Sequence, residues 1–391
     1  MKAFKSIAAV ILSAAMILSL CACHKKGETV VTVGDTKIDS GLYLALQYTA
    51  YSQFISDVRE DPDASIPSDA SYSYFNDLTH PEDGLSMIDW VTDRTNQMVK
   101  EYGAVKYLCS QNHISLSASE EETVDQYANA YWESQGMKLF YEDFGVSYNT
   151  YRETIAHNFL TSKLFYFYYG TADDKLPGSG SKAVSDQEVS EAINGYAVLV
   201  DHLDNKLSAT YDEEGNATAV TDEEREAAKA KLQGYADRIN RGTSFDTIKA
   251  EYAAETGATD TDTASTVPSS DTATSIYTAT ASAYTKNDSD ATNYNLFDGF
   301  KSTDGFEYGK AMVVEGDTDD FKLVIIYDLS KDPYYCETYH DAIVRELKSD
   351  EFEDFLAQQA DSIGVSENSS LVKFYRPEKI DFDKAAQNAA S

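Results

Sequence analysis

The sequence contains few residues of the types that usually carry catalysis. Among its 391 residues there are six histidines and four cysteines, and two of the cysteines lie within the first 23 residues. No two histidines share a spacing typical of metal ligands, and neither a G-x-S-x-G motif nor a P-loop occurs. We therefore predict no metal and no cofactor. Two kinds of chemistry remain, which are covalent modification of a cysteine near the start and hydrogen-bond chemistry at a single histidine.

The charge of the chain excludes several classes of partner. It has 32 basic residues against 66 acidic ones, a formal net charge of −34. A surface this acidic repels phosphate, so nucleic-acid binding is excluded, and anionic lipid headgroups are repelled as well. Any attachment to a membrane must then be apolar or covalent. The hydrophobic content of 42%, with 12% aromatic residues, is too high for a disordered chain and sufficient for two modest cores.

The N-terminal segment has the pattern of an export signal. Lys2 and Lys5 precede an apolar run over residues 7–22, which is shorter than a membrane-spanning helix requires. The run ends in Leu20-Cys21-Ala22-Cys23, which resembles the bacterial lipobox, with cleavage after Ala22 and lipid attached to Cys23. An uncleaved helical anchor and a plain secreted protein are the alternatives.

Cleavage after Ala22 would decide where the protein works. Residues 1–22 contain two lysines and no acidic residues, so their removal leaves a formal charge of −36. We expect the mature protein on the outer face of the cell membrane, held there by its lipid anchor and without access to ATP. Cys109 and Cys336 remain in it, and they could pair in an oxidising space.

The mature chain divides into three regions. Residues 23–182 carry four helical patterns that are rich in aromatic side chains. A flexible Pro-Gly-Ser-Gly-Ser run at 177–181 ends this region, and residues 183–331 follow with short helices and strands. Residues 332–391 form an amphipathic C-terminal helix and a tail. These elements predict an α+β fold class.

Local signals predict individual elements within these regions. Residues 198–202 and 321–329 are predicted strands. Residues 256–293 are mostly Thr, Ser, Ala and Asp, and they are predicted to be a long mobile insertion because they carry too little apolar surface to order. Helix starts are indicated by capping boxes, in which Ser or Thr is followed three residues later by Glu. The pairs are Ser119 with Glu122, Ser185 with Glu188, and Thr221 with Glu224.

Three stretches of the chain match the pattern of a known class. Residues 30–38, V-V-T-V-G-D-T-K-I, are similar to its opening strand and turn. Residues 235–252 are similar to its helix pair, with Gly242 and Phe245 at the matching positions, and residues 374–380, F-Y-R-P-E-K-I, to its closing segment. In this order the stretches resemble the SurA/PrsA class of extracytoplasmic foldases, whose members carry parvulin-type peptidyl-prolyl isomerase domains.

The resemblance implies two domains with different tasks. The N-terminal helices and the returning C-terminal helix would form a chaperone domain, with a parvulin-like α/β domain inserted at about 183–331. Such chaperone domains bind unfolded exported polypeptides on aromatic surfaces, and 28 tyrosines and 17 phenylalanines suit that task. Most of these aromatic side chains are nevertheless expected to fill the core.

The same resemblance makes His202 the candidate catalytic residue. It lies in the stretch 200–204, V-D-H-L-D, where the class has a histidine in a strand. A second histidine belongs near Lys322 or Leu323 and is absent, as is the glycine-rich stretch of the class. We therefore predict a degenerate site that is weak or inactive as an isomerase. The apolar residues that remain of its proline pocket are Phe300, Phe306 and Met312.

The function predicted from the sequence is a lipid-anchored, extracytoplasmic chaperone that binds unfolded exported polypeptides. An active peptidyl-prolyl isomerase is the first alternative. A solute-binding lipoprotein is the second, although that class is built from repeated βαβ units, whereas here four helices come first and strands are few. A surface protein with a structural or adhesive role is the third.

Overall fold

The computed structural model describes a chain that is α+β and mainly helical. Residues 1–26, with the predicted signal segment and Cys23, lie outside the described residues. Within the described part, no helix is both long enough and apolar enough to cross a membrane. The described residues are 27–133, 138, 141–142, 145–170, 182–207, 210–211, 217–256, 281–288, 291–316 and 320–383.

Helices occur along the whole described chain, with strands between some of them. In chain order they are α1 (Ser40–Glu60), α2 (Met87–Gln111), α3 (Ala118–Glu133), α4 (Tyr148–Tyr169), α5 (Asp186–Tyr196), α6 (Asp222–Asn240), α7 (Phe245–Thr256), α8 (Thr292–Phe300), α9 (Pro333–Ile363) and α10 (Ser369–Phe374). Short 3-10 turns are formed by Tyr72–Asp77, Leu329–Lys331 and Pro377–Lys379.

The strands pair in antiparallel fashion throughout. They are β1 (Thr29–Val33), β2 (Thr36–Asp39), β3 (Ala197–Lys206), β4 (Thr210–Tyr211), β5 (Ala217–Thr218), β6 (Ser282–Thr285), β7 (Ala311–Glu315), β8 (Asp320–Tyr327) and β9 (Val365–Glu367). They form a three-stranded sheet of order β2-β1-β9, a four-stranded sheet of order β6-β3-β8-β7, and the hairpin β4-β5.

The chain divides into two compact units. Unit 1 combines the residues up to Tyr168 with those from Ser349 onwards, and unit 2 spans Tyr169–Lys348. Helix α9 therefore begins in unit 2 and ends in unit 1. The region predicted as an inserted domain, 183–331, falls within unit 2, which extends beyond it at both ends.

Unit 1 joins the beginning and the end of the described chain. Strand β9 pairs with β1, so a C-terminal strand lies directly beside the first described strand. Farther on, Gln47 of α1 donates its Nε2 to the backbone oxygen of Tyr375 over 2.8 Å, and both residues are buried. Buried hydrogen bonds of this kind satisfy groups that would otherwise lose water without compensation.

Many aromatic rings of unit 1 are core residues, as expected from the sequence. Tyr51 is fully buried and stacks on Phe382, with ring centroids 4.3 Å apart and an interplanar angle of 9°. Trp132 stacks on Tyr141 at 6.1 Å and packs edge-on against Tyr148 at 5.7 Å. Such pairs add specific geometry to the area that the rings bury.

Helix starts follow the predicted capping chemistry with one exception. Complete capping boxes are confirmed at Ser185 for α5 and at Thr221 for α6. At α3 the predicted pair Ser119 with Glu122 is wrong, because the reciprocal hydrogen bonds join Ser117 and Glu120. Both pairs fit the Ser-x-x-Glu pattern. In the observed register Glu120 also accepts hydrogen bonds from Lys163.

A buried histidine holds the loop between α1 and α2 in place. His80 is 5% exposed and stacks on Trp90 of α2, with ring centroids 4.7 Å apart. Its Nε2 lies 3.1 Å from Asp57 Oδ2 on α1, and its backbone N–H donates to the oxygen of Leu85. The loop is thereby attached to both helices, and it forms one wall of a cavity on α1.

Unit 2 contains a sheet with helices on both faces. The predicted strands at 198–202 and 321–329 are confirmed as β3 and β8, which are the two central strands. On one face, residues such as Leu203 and Leu323 pack with Leu232 of α6. On the other face, Val200 and Val324 pack with the rings of α8.

The prediction of a mobile insertion over residues 256–293 is wrong for its last part. Ser282–Thr285 form the edge strand β6, which pairs with β3, and α8 begins at Thr292. Ser282 and Thr285 are buried despite their polarity. Pairing with β3 supplies backbone hydrogen bonds and cover that the composition of the segment does not reveal. Residues 257–280 lie outside the described part.

Candidate functional site

The predicted catalytic residue His202 lies on the α8 face of the unit 2 sheet. Side chains alternate along a strand, so His202 shares its face with Val200 of β3. Its cross-strand partner on β8 is Val324. The imidazole packs at 5.0 Å from the ring of Phe297 of α8, and the His202 side chain is 11% exposed. Strand β3 and helix α8 thus hold this histidine against an aromatic ring.

The apolar residues predicted from the sequence as the remnant of a proline pocket lie together on this face. Phe300, Phe306 and Met312 are partly buried and pack against the core that contains Phe297. Met312 of β7 stands opposite Val324, the same residue that faces His202 from β8. Tyr284 of β6 extends the group by stacking on Phe297 at 5.6 Å. We call this set, with His202, the His202 face.

The position expected for a second histidine holds an ion pair instead. Lys322 stands opposite Asp204, its Nζ lying 2.9 Å from Asp204 Oδ1 and 3.2 Å from Asp320 Oδ2. Burial by itself would lower the pKa of Lys322, but its interactions with Asp204 and Asp320 raise that pKa above the ordinary value. A lysine held in its charged form donates hydrogen bonds and cannot accept them. The His202 face therefore offers one imidazole beside an apolar group of side chains.

A second surface, in unit 1, was not found from the sequence. Tyr127 and Tyr131 of α3 stack at 6.4 Å, and Phe159 of α4 lies 6.3 Å from Tyr127. The two tyrosines are 48% and 52% exposed, the most exposed large apolar side chains of the described residues. We call these three residues the aromatic patch. Their i, i+4 spacing on a helix was the only available signal.

Ion pairs fix the helices that carry the aromatic patch. Arg152 of α4 contacts Glu121 at 2.6 Å and Asp125 at 2.5 Å, and Lys163 contacts Glu120 at 2.7 Å. Hydrogen bonds to Glu121 and Asp125 raise the pKa of Arg152. Since each pair is partly exposed to solvent, its contribution to stability is small, but together the pairs set the register of α3 against α4. The rings of the aromatic patch are thus presented on two connected helices.

An open cleft of about 690 Å³ lies between α2 and α4. It is lined by apolar residues such as Leu116 and Leu160, by charged residues such as Lys106 and Glu153, and by Cys109. Burial raises the pKa of the Cys109 thiol to about 11, so the thiolate needed for nucleophilic chemistry is scarce at neutral pH. The Lys106 and Glu153 charges pair with each other at 3.1 Å. We assign no chemistry to this cleft.

Neither His157 nor the cysteines Cys109 and Cys336 form a reactive site. His157 stacks on Tyr102 at 4.0 Å, and burial together with nearby Lys106 lowers its pKa to about 3, so it is a neutral packing residue. Cys109 and Cys336 are free thiols, and the pairing that the sequence left open is not formed. Among the residues described, no group of three His, Cys, Asp or Glu side chains is arranged to hold a metal ion. Cys23, the predicted lipidation site, lies outside them.

Comparisons with known proteins provide no family assignment. No protein-family model matches the chain, and no curated protein matches it. Among solved structures, PrsA from Bacillus subtilis is similar over 76% of this chain and 82% of that chain, with 12% sequence identity and a TM-score of 0.19. With so low a TM-score, this likeness carries no argument about the present chain.

Proposed function

We propose that the protein is an extracytoplasmic chaperone that binds unfolded exported polypeptides. The aromatic patch carries this proposal. Two stacked tyrosines at about half exposure keep apolar ring area in contact with water. Such area is available to aromatic and aliphatic segments that an unfolded chain exposes, and the tyrosine hydroxyls keep the patch soluble when it is empty.

The lipid anchor on Cys23 is the second part of the proposal. It is supported by the sequence alone, through the short apolar run and the Leu-Cys-Ala-Cys motif. Acylation would keep the chaperone on the outer face of the cell membrane, where exported chains emerge. The formal charge of −36 that remains after cleavage would hold the rest of the molecule away from anionic headgroups.

A parvulin-like domain in unit 2 is the third part. The elements follow the order β3-β4-β5-α6-α7-β6-α8-β7-β8, and the four-stranded sheet has the strand order β6-β3-β8-β7. This arrangement is compatible with the inserted α/β domain that the resemblance implies. The His202 face favours isomerase activity as a second candidate function, because it places apolar rings beside the single imidazole. Lys322, in place of a second histidine, argues for weak or no activity.

We expect little or no acceleration of prolyl isomerisation by this protein. The check is NMR exchange spectroscopy on a Xaa-Pro peptide with purified residues 24–391, the variant His202→Ala, and the control His340→Ala, which removes a histidine of α9 in the same unit. Equal exchange in all three samples and in the protein-free peptide is the expected result. Acceleration that is lost only in His202→Ala would make the protein an isomerase and the degenerate-site interpretation wrong.

Aggregation suppression is the test of the chaperone proposal. Residues 24–391 should keep an unfolded exported protein from scattering light at a stoichiometric ratio and without ATP. A thermal-shift screen of small solutes supplies the contrast, since a solute-binding lipoprotein should be stabilised by its ligand. No suppression, combined with a clear thermal shift from one small solute, would replace the chaperone with the solute binder.

A further inference from the structure

A cavity of unit 1 lies between helix α1 and the loop that follows it. Its volume is about 320 Å³, which is large enough for a single amino-acid residue and close to the lower limit of about 300 Å³ for small-molecule sites. The helix residues are three and four positions apart, which places them on one face of α1. The lining residues are Ser52, Ile55 and Arg59 of α1, and Ala70, Tyr72 and Phe75 of the loop.

Arg59 is the charged group of this cavity. Its guanidinium lies over the ring of Phe75, with Cζ 5.1 Å from the ring centroid. It forms no ion pair and no hydrogen bond with any described residue. Arg59 is an exposed residue, so its guanidinium is accessible to a ligand as well as to water. The last turn of α1 favours a positive charge through the helix dipole, but that leaves the N–H donors of Arg59 unused.

We propose that this cavity binds a carboxylate attached to an apolar or aromatic group, the chemistry of a C-terminal residue of a polypeptide. The Arg59 guanidinium lies over the Phe75 ring, and its N–H groups, which no described residue accepts, are available for a bidentate contact with a carboxylate. Ile55, Ala70 and the ring of Tyr72 are partly exposed and supply the apolar walls for the attached side chain, while the buried Phe75 lies beneath the Arg59 guanidinium.

The charged Arg59 and the apolar walls of the cavity together select against other ligands. A phosphate or sulfate would satisfy Arg59 and leave the apolar walls wet. A neutral apolar ligand would cover the walls and leave the Arg59 guanidinium without a charged partner. Ser52, whose hydroxyl forms no hydrogen bond with the described residues, offers a second donor or acceptor on the same helix face. This proposal does not depend on the chaperone proposal, because it uses none of the residues of the aromatic patch.

Ligand-observed NMR titration of residues 24–391 tests the proposal. The probes are N-acetyl-phenylalanine and its amide, together with a six-residue peptide ending in phenylalanine as the free acid and as the amide. We expect the acids to bind at least about tenfold more tightly than the amides, because only the acids present a charge to Arg59. If N-acetyl-phenylalanine matches the peptide, the carboxylate residue alone is the ligand; if the peptide acid binds more tightly, a polypeptide end is.

Three variants separate the site from nonspecific attraction. Arg59→Gln should abolish the preference for the acids, and Ala70→Phe, which fills the cavity without changing charge, should weaken both acids. Arg241→Gln, at the exposed end of α6 in unit 2, should change neither. Thermal denaturation checks that each variant is folded. Equal binding of acid and amide by the unmodified protein, or an acid preference that persists in Arg59→Gln, would overturn the proposal.

Discussion

Gly103→Ala is expected to destabilise unit 1 severely. A Cβ at this position of α2 would lie 2.3 Å from Cβ and 2.5 Å from Cγ1 of Val33 on β1, distances that folded proteins do not tolerate. Val33 is fully buried and stands in the central strand of its sheet, so it has no space to move. Either α2 or β1 must shift, and we expect a loss of at least about 2 kcal/mol in the free energy of unfolding.

Tryptophan fluorescence makes this prediction measurable for unit 1 alone. The chain has two tryptophans, Trp90 and Trp132, and both lie in unit 1. Urea denaturation followed at these residues should give a lower midpoint for Gly103→Ala. The control is Gly234→Ala in the middle of α6, where a Cβ meets no atom within 4 Å and helix propensity should improve. A midpoint for Gly103→Ala equal to that of the unmodified protein would contradict the packing described here.

The double variant Tyr127→Ser with Tyr131→Ser is expected to lose most of the aggregation suppression. The substitution removes the stacked rings from α3 while leaving the ion pairs of Arg152 with Glu121 and Asp125 in place. Serine and tyrosine have similar helix propensities, so the helix should persist. We expect the concentration needed for half-suppression to rise at least about tenfold, equivalent to about 1.4 kcal/mol of binding free energy.

A matched variant distinguishes loss of the aromatic patch from loss of any exposed tyrosine. Tyr74→Ser with Tyr107→Ser also removes two exposed tyrosines of unit 1, at 40% and 38% exposure, but neither belongs to the patch. This variant should suppress aggregation almost as well as the unmodified protein. An equal loss in both double variants would mean that client binding is spread over the surface and that the patch has no special role.

The sequence predicted elements well where a local signal existed. Apolar runs identified β3 and β8, and the capping boxes at Ser185 and Thr221 started their helices as expected. The polar strand β6 was missed because its burial comes from β3, which is distant in sequence. At the start of α3 the sequence offers two overlapping Ser-x-x-Glu patterns, and the one that forms the cap joins Ser117 and Glu120. In that arrangement Glu120 also accepts hydrogen bonds from Lys163 on α4, a contact that the local sequence does not reveal.

All three proposed sites depend on contacts between distant segments. On the His202 face, the sequence could name Phe300 and Met312 but could not show that α8 and β7 bring them to the side of β3 that carries His202. The aromatic patch needs Phe159 of α4 beside Tyr127 of α3. The cavity at Arg59 needs a loop that His80 attaches to α1 and α2, and no sequence motif indicates that attachment.

The most direct test of the account is whether residues 24–391 bind an unfolded segment through its aromatic side chains. Fluorescence anisotropy can compare a labelled unstructured peptide containing several Phe and Tyr residues with the same peptide in which serine replaces them. We predict saturable binding of the aromatic peptide, weakened at least about tenfold in the serine peptide and in the protein variant Tyr127→Ser with Tyr131→Ser. Equal binding of the two peptides, or undiminished binding by the variant, would contradict the proposal that this protein holds clients on the aromatic patch.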